Sequence, residues 1–226
     1  YAKENNLRII KRADMLAELI KHKYSIAVGG THGKTTTTSL ISAILYGADF
    51  DPTIINGGII NYFSSNARLG SGDWAVVEAD ESDGTFLKLP RTVAVVTNID
   101  KEHLDYYGDF SELKNAFIKF INGISALGFA VLCNDSENIR SLLPDINVKK
   151  IVTYGIDFKS DIMAKNIIIN NDGTNFDVYV SEKIKSKPFV IKNIYLPMIG
   201  IHNVLNALAA ISVSLQLKVS DEKIKC

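Results

Sequence analysis

Cysteine is almost missing from the 226 residues: there are two, Cys133 and Cys226. Cys133 sits in an apolar run and Cys226 is the last residue, so a disulfide framework is excluded and a reducing, cytoplasmic setting is expected. Net charge is missing too, with Lys+Arg and Asp+Glu both at 25. A balanced chain has no electrostatic pull toward nucleic acid or an anionic membrane, so neither is expected as a partner. No apolar run reaches the length of a bilayer-spanning helix, which argues against membrane insertion, and no secretory signal opens the chain. Internal repeats and low-complexity tracts are also absent. What is there, 46% hydrophobic and 22% charged residues, is ordinary globular composition. The length suits one large domain or one plus a piece. The chain opens without a start methionine, and a piece of a longer protein is expected.

One stretch organises the rest: Val28-Gly29-Gly30-Thr31-His32-Gly33-Lys34-Thr35. It follows the apolar run Tyr24 to Val28, read as a buried strand. It precedes Thr36 to Leu45, where Leu40, Ile41, Ile44 and Leu45 fall at helical spacing. Strand, glycine-rich turn, Lys-Thr and helix make up a phosphate-binding loop. Glycines let backbone N–H groups approach an anion, and the helix start aims its dipole and unpaired N–H groups at the same point. Lys34 adds a point charge for the outer phosphates, and the Thr35 hydroxyl suits Mg²⁺. The loop is a shortened variant, because Val28 stands where the strict pattern has its first glycine. The bland alternative is a glycine-rich turn capping an ordinary helix.

Further along, Ala13 to Ile20 reads as a short helix and Thr53 to Ile60 as a strand ending in Gly57-Gly58. Residues 61–73 read as a polar loop. Trp74 to Asp80 and Thr92 to Thr97 read as buried strands, ending respectively in Glu78-Ala79-Asp80-Glu81-Ser82-Asp83 and at Asn98-Ile99-Asp100-Lys101-Glu102-His103. Near-continuous β-branched runs alternating with helices predict an α/β fold: a phosphate-loop-type, mostly parallel sheet with helices on both faces. Ligands then bind beyond the carboxyl ends of the strands, where the loop, the acidic cluster and His103 all fall. Glu78 is the first acid after its strand and could hold Mg²⁺; a solvated acidic loop is the alternative. His103 could meet a metal or a phosphate, or be a satisfied loop histidine. Glu78 and His103 are expected at the ends of adjacent strands.

Ser111 to Ile124 is predicted as an amphipathic helix capped by Ser111, and 128–133 as a strand followed by a helix capped near Ser136. Ile151 to Tyr154 is a further strand. Residues 167–169 and 176–180 predict a hairpin, and 187–196 a third strand, together a small antiparallel subsheet appended to the main one. Ile201 to Leu217 is the last helix. It opens with Asn203 and Asn206 three apart on one face, suited to reading a base edge or simply forming a polar first turn.

Gly30 to Thr38, Glu78 to Asp83, Thr97 to Asp105 and Gly200 to Ala207, four motifs in order, together resemble the Mur ligases. The resemblance covers almost the whole chain but only that family's central, ATP-binding domain. It implies residues 1–23 as connector from an amino-terminal UDP-binding domain, 24–217 as the ATP-binding domain and 218–226 as the start of a linker. It implies ATP-driven amide formation between UDP-N-acetylmuramate and L-alanine through an acyl phosphate, in cell-wall precursor synthesis. Its cofactors are ATP and Mg²⁺. The implied nucleotide contacts are Gly30, Thr31, His32, Gly33, Lys34, Thr35 and Thr36, with Asn203 and Asn206 on adenine. The implied metal ligands are Thr35, Glu78 and His103, and the implied catalytic set is Lys34, Glu78 and His103. Lys101-Glu102 depart from the Pro-Asp common before this histidine. Asn115 to Ile118 lack the lysine of several sister ligases, which fits the alanine-adding branch. A ligase attaching a recycled peptide to the same sugar, and an ATP-binding module without catalysis, are the other readings.

Overall fold

The β-branched runs are buried along almost their whole length, which is the condition imposed by helices on both faces of a parallel sheet. A computed structural model describes every residue except Ala2, Lys3, Arg8 and Cys226. The reading of Cys226 therefore lies outside the described residues, while Cys133 is free and buried. The first half runs α1 (Arg12–Ile20), β1 (Tyr24–Gly29), α2 (Lys34–Gly47), β2 (Thr53–Ile60), β3 (Ser65–Arg68), β4 (Trp74–Glu78) and β5 (Val93–Val96). Then come α3 (Leu104–Tyr107), α4 (Phe110–Asn122), β6 (Phe129–Cys133), α5 (Glu137–Leu142) and β7 (Ile151–Gly155). The chain closes with β8 (Ile162–Ile169), β9 (Thr174–Val180), β10 (Phe189–Leu196), α6 (Ile201–Gln216) and α7 (Asp221–Lys225).

All ten strands form one sheet in the order β10-β9-β8-β7-β6-β5-β1-β4-β2-β3. Neighbours from β8 through to β2 are parallel. The two edges are antiparallel. This is the predicted fold class, with β8, β9 and β10 continuing the main sheet rather than forming a separate one. β1 lies at the centre of the site edge, with β5 on one side and β4 on the other. Glu78 and His103 therefore follow strands that flank β1 and do not adjoin each other, which corrects the expectation of adjacent strands.

Other differences have local causes. Residues 61–73 are not all loop: Ser65–Arg68 pairs with β2 as a polar edge strand, which needs only one buried face and so shows little hydrophobic pattern. The predicted linker holds α7, whose Ile224 is buried. α4 starts earlier than expected: Asp109 is its N-cap, its carboxylate accepting from the Glu112 N–H at 2.9 Å. Asp109 is followed three residues on by Glu112, the spacing of a capping box, and it takes the cap in place of Ser111. Arg91 is buried and donates to the carbonyls of Phe120 and Leu89, each at 2.7 Å, and of Leu87 at 3.2 Å. It ties the C-terminal end of α4 to the 3₁₀ turn Thr85–Lys88, and burial lowers its pKa to about 10.

The cap assignment is testable by urea unfolding. Asp109→Ala should cost about 1 kcal/mol, while Ser111→Ala should fall within about 0.5 kcal/mol of the parent. The reverse ranking would restore Ser111 as the cap.

Candidate functional site

The site is built where β1 runs out and α2 begins. Gly30 sits at φ +127, and a Cβ there would lie 2.2 Å from Thr97 Oγ1. Gly33, at φ +81, is the N-cap of α2, and no side chain caps that helix. The loop between them is fastened to the segment after β5. The Thr31 N–H donates to Asn98 O at 3.1 Å, and the Asp100 N–H to Thr31 Oγ1 at 2.8 Å. Asn98 grips His32 from both sides, its Oδ1 accepting from the backbone N–H at 2.8 Å and its Nδ2 donating to the carbonyl at 2.9 Å. Thr97 Oγ1 donates to the same carbonyl at 2.6 Å. Thr31 to Thr36 line an open cleft of about 350 Å³ over the start of α2.

Lys34 and Thr35 each meet an acid from the far side of β1. Thr35 Oγ1 donates to Glu78 Oε2 at 2.9 Å, and the same oxygen accepts the Gly57 N–H at 2.8 Å. Lys34 Nζ donates to Gly30 O at 2.7 Å and Thr31 O at 3.0 Å, and lies 3.2 and 3.1 Å from the two carboxylate oxygens of Glu81. Glu81 is 1% exposed. Burial raises its pKa, an effect that Lys34 opposes. Glu81 belongs to the acidic cluster noted in the sequence, but being the fourth residue after Val77 its burial had no pattern to announce it.

His103 occupies a left-handed conformation at the start of α3, and its Nε2 stands 4.0 Å from Glu81 Oε1 and 4.0 Å from Glu102 Oε2. Among the described residues it makes no ion pair with Glu78. His32 Nε2 lies 3.7 Å from Glu102 and 3.8 Å from Asp100. A second cleft of about 540 Å³ adjoins the loop past Gly33, with Asn98, Asp135, Tyr154, His202 and Asn206 in its walls. Asn206 is buried against Gly33, with Oδ1 accepting from Thr37 Oγ1 at 3.2 Å and Nδ2 3.4 Å from Asn203 Oδ1. Asn203 turns its amide to Ile199 O at 2.9 Å and does not line this cleft. The structure thus brings Lys34, Thr35 and Glu78 together with the loop, carries His103 alongside through Glu81, and sets Asn203 beside Asn206 with its own amide N–H turned to Ile199.

Oxygen donors from Thr35 and Glu78, side by side, fit Mg²⁺, a hard cation that takes oxygen ligands and keeps several from phosphate and water. Among the described residues no three His, Cys, Asp or Glu side chains form a ready-made metal cage.

An uncapped helix start, a lysine held over a glycine loop and a Thr–Glu oxygen pair define a class: an α/β domain of the phosphate-loop type. Comparison with known proteins narrows it, because the Mur ligase middle domain matches residues 28–214. The chain belongs to the Mur ligase family. It is 53% identical over 224 residues to a UDP-N-acetylmuramate–L-alanine ligase of Bartonella quintana, covering 99% of this chain and 47% of that protein. It is 54% identical over 217 residues to the enzyme of that name in Rhodospirillum centenum, covering 96% of this chain and 45% of that protein. Among solved structures, a UDP-N-acetylmuramate–alanine ligase of Thermotoga maritima superimposes with a TM-score of 0.82 at 26% identity, over 99% of this chain and 49% of that one. The chain thus spans about half the length of the curated relatives it matches.

Two glycines test the loop geometry. Gly30→Ala, strained in φ and in contact with Thr97, should lose about 2 kcal/mol or more of stability. Gly47→Ala in α2, where a Cβ meets nothing within 4 Å, should be neutral or gain up to about 1 kcal/mol. Equal effects in chemical denaturation would contradict the described loop.

Proposed function

We propose that this chain is the ATP-binding part of an enzyme that joins UDP-N-acetylmuramate to L-alanine in cell-wall precursor synthesis in the cytoplasm. Residues 24–217 form the nucleotide domain, residues 1–23 connect to a sugar-nucleotide domain, and 218–226 lead toward a further domain. The observation that carries the reading is the pairing of Lys34 and Thr35, at an uncapped helix start, with acids at the end of β4 and just beyond it. Identity of about half to relatives named for this reaction supports the choice of sugar and amino acid, and the same relatives favour L-alanine over a recycled peptide.

In the reaction, a carboxylate oxygen of the sugar's lactyl group forms a bond to the γ-phosphorus of ATP as the bond to ADP breaks. The amine nitrogen of L-alanine then bonds to the acyl carbon, inorganic phosphate leaves, and one proton departs from the nitrogen. The transition state of the first step is largely a matter of position and charge. The N–H groups of Gly33 and of the first turn of α2 hold the phosphates, since those of Thr31 and His32 are spent on Asn98, and Lys34 neutralises the outer two. Gly30, Thr31, His32, Gly33 and Thr36 form the cradle. The cleft beside Asn206 suits the adenine, with Asn203 fixing the Asn206 amide. Thr35 and Glu78 would hold Mg²⁺, and His103 a second ion; bound there, the metal supplies charge neutralisation for the transferring phosphoryl group.

Acceptor and sugar contacts beyond this domain are needed to position three reactants. This chain should therefore bind ATP·Mg²⁺ and release no phosphate above background with UDP-N-acetylmuramate and L-alanine, whereas a chain extended to the relatives' full length should turn over. Phosphate release at comparable rates from both would contradict the division of labour; no turnover by the longer chain with these substrates would contradict the assignment.

A further inference from the structure

Lys34 spends all three ammonium N–H bonds on protein. Two go to the loop carbonyls of Gly30 and Thr31 and the third to Glu81. The carbonyls belong to the loop itself and move with it. Glu81 does not: it follows β4, its backbone carbonyl accepts from the Tyr107 hydroxyl at 2.5 Å and from the Gly84 N–H at 3.0 Å, and its side chain is 1% exposed. Among the described residues, Lys34 is the only cation that reaches both carboxylate oxygens, with His103 no nearer than 4.0 Å to one of them. A buried carboxylate with a single close counter-ion holds that ion firmly, because neither partner can fall back on water.

We infer that Glu81 is a positioning residue for the loop lysine, and that polyphosphate takes Lys34 only by drawing its third N–H bond away from Glu81. The inference rests on the reading of this loop as a nucleotide-phosphate site. Two effects of the carboxylate oppose each other. Fixing a long side chain in one place favours the ligand by removing rotamer freedom in advance. Supplying a competing negative charge beside a polyanion disfavours it. The second is larger, because two unit charges a few ångströms apart in a partly buried site interact more strongly than the entropy of one lysine side chain is worth. Glu81 therefore keeps the loop lysine ordered and, in the same contact, limits the grip on ATP and on the product ADP.

The test is calorimetric titration of this chain with ATP·Mg²⁺, ADP·Mg²⁺ and adenosine, in the unaltered protein and in Glu81→Gln, Lys34→Met and the double variant. Glu81→Gln should tighten ATP and ADP by at least about threefold, in the range of coupling between contacting residues, and leave adenosine unchanged. In the Lys34→Met background, Glu81→Gln should give a clearly smaller gain in ATP affinity, because only the direct repulsion between carboxylate and phosphates is left once the lysine is gone. Thermal unfolding without nucleotide gives an independent arm: Lys34→Met alone strands the carboxylate and should lower Tm more than the double variant does. Weaker ATP binding by a folded Glu81→Gln, an equal gain with and without Lys34, or adenosine affinity falling in step with ATP would each overturn the inference while leaving the nucleotide site standing. Absence of ATP binding by the unaltered chain would overturn the site and the inference together.

Discussion

The carboxyl edge of this sheet depends on one seam of hydrogen bonds, between Thr31-His32 on the loop after β1 and Thr97-Asn98 after β5. A short turn bounded by glycines at positive φ makes few hydrogen bonds of its own. Here the support comes from the next strand: the Asn98 amide satisfies both the N–H and the carbonyl of His32, and the buried hydroxyl of Thr97 takes up the space that a Cβ on residue 30 would need. The first turn of α2 is thus left free for an anion, which is the arrangement that helix dipoles and unpaired N–H groups favour.

The same edge gathers charge from three parallel strands, because β5, β1 and β4 are consecutive in the sheet. Lys34 comes from the helix after β1, Glu78 and Glu81 from the end of β4, and His103 from the segment after β5. The neutral overall composition conceals this concentration. Glu78 stays half-exposed against Thr35 and Gly57, whereas Glu81 is shut away behind Lys34. Two acids three residues apart therefore have different surroundings: one keeps its carboxylate partly open beside Thr35, and the other is closed off on Lys34.

Much of this was legible in the sequence. The loop, the parallel strands and the convergence of their carboxyl ends follow from glycine spacing and from β-branched runs of strand length, signals that are local and strong. What the sequence did not disclose depends on pairing or burial across the chain. β3 has no hydrophobic signal because an edge strand carries polar residues, and the α4 start is ambiguous because two cap-forming residues, Asp109 and Ser111, compete within one turn. The division between Glu78 and Glu81, and the turning of Asn203 toward Ile199 while Asn206 packs on Gly33, are set by neighbours more than 40 residues away or by the particular helix entry. The flank order of β5, β1 and β4 likewise needs the sheet itself, since a sequence gives strands but not their neighbours.

The most direct measurement is a crystal structure of this chain with Mg²⁺ and a non-hydrolysable ATP analogue. The account predicts the terminal phosphates over the first turn of α2, Lys34 Nζ within hydrogen-bond distance of a phosphate oxygen, the metal touching Thr35 and Glu78, and the base in the cleft beside Asn206. Phosphates bound elsewhere on the molecule, with Lys34 still closed on Glu81, would contradict it.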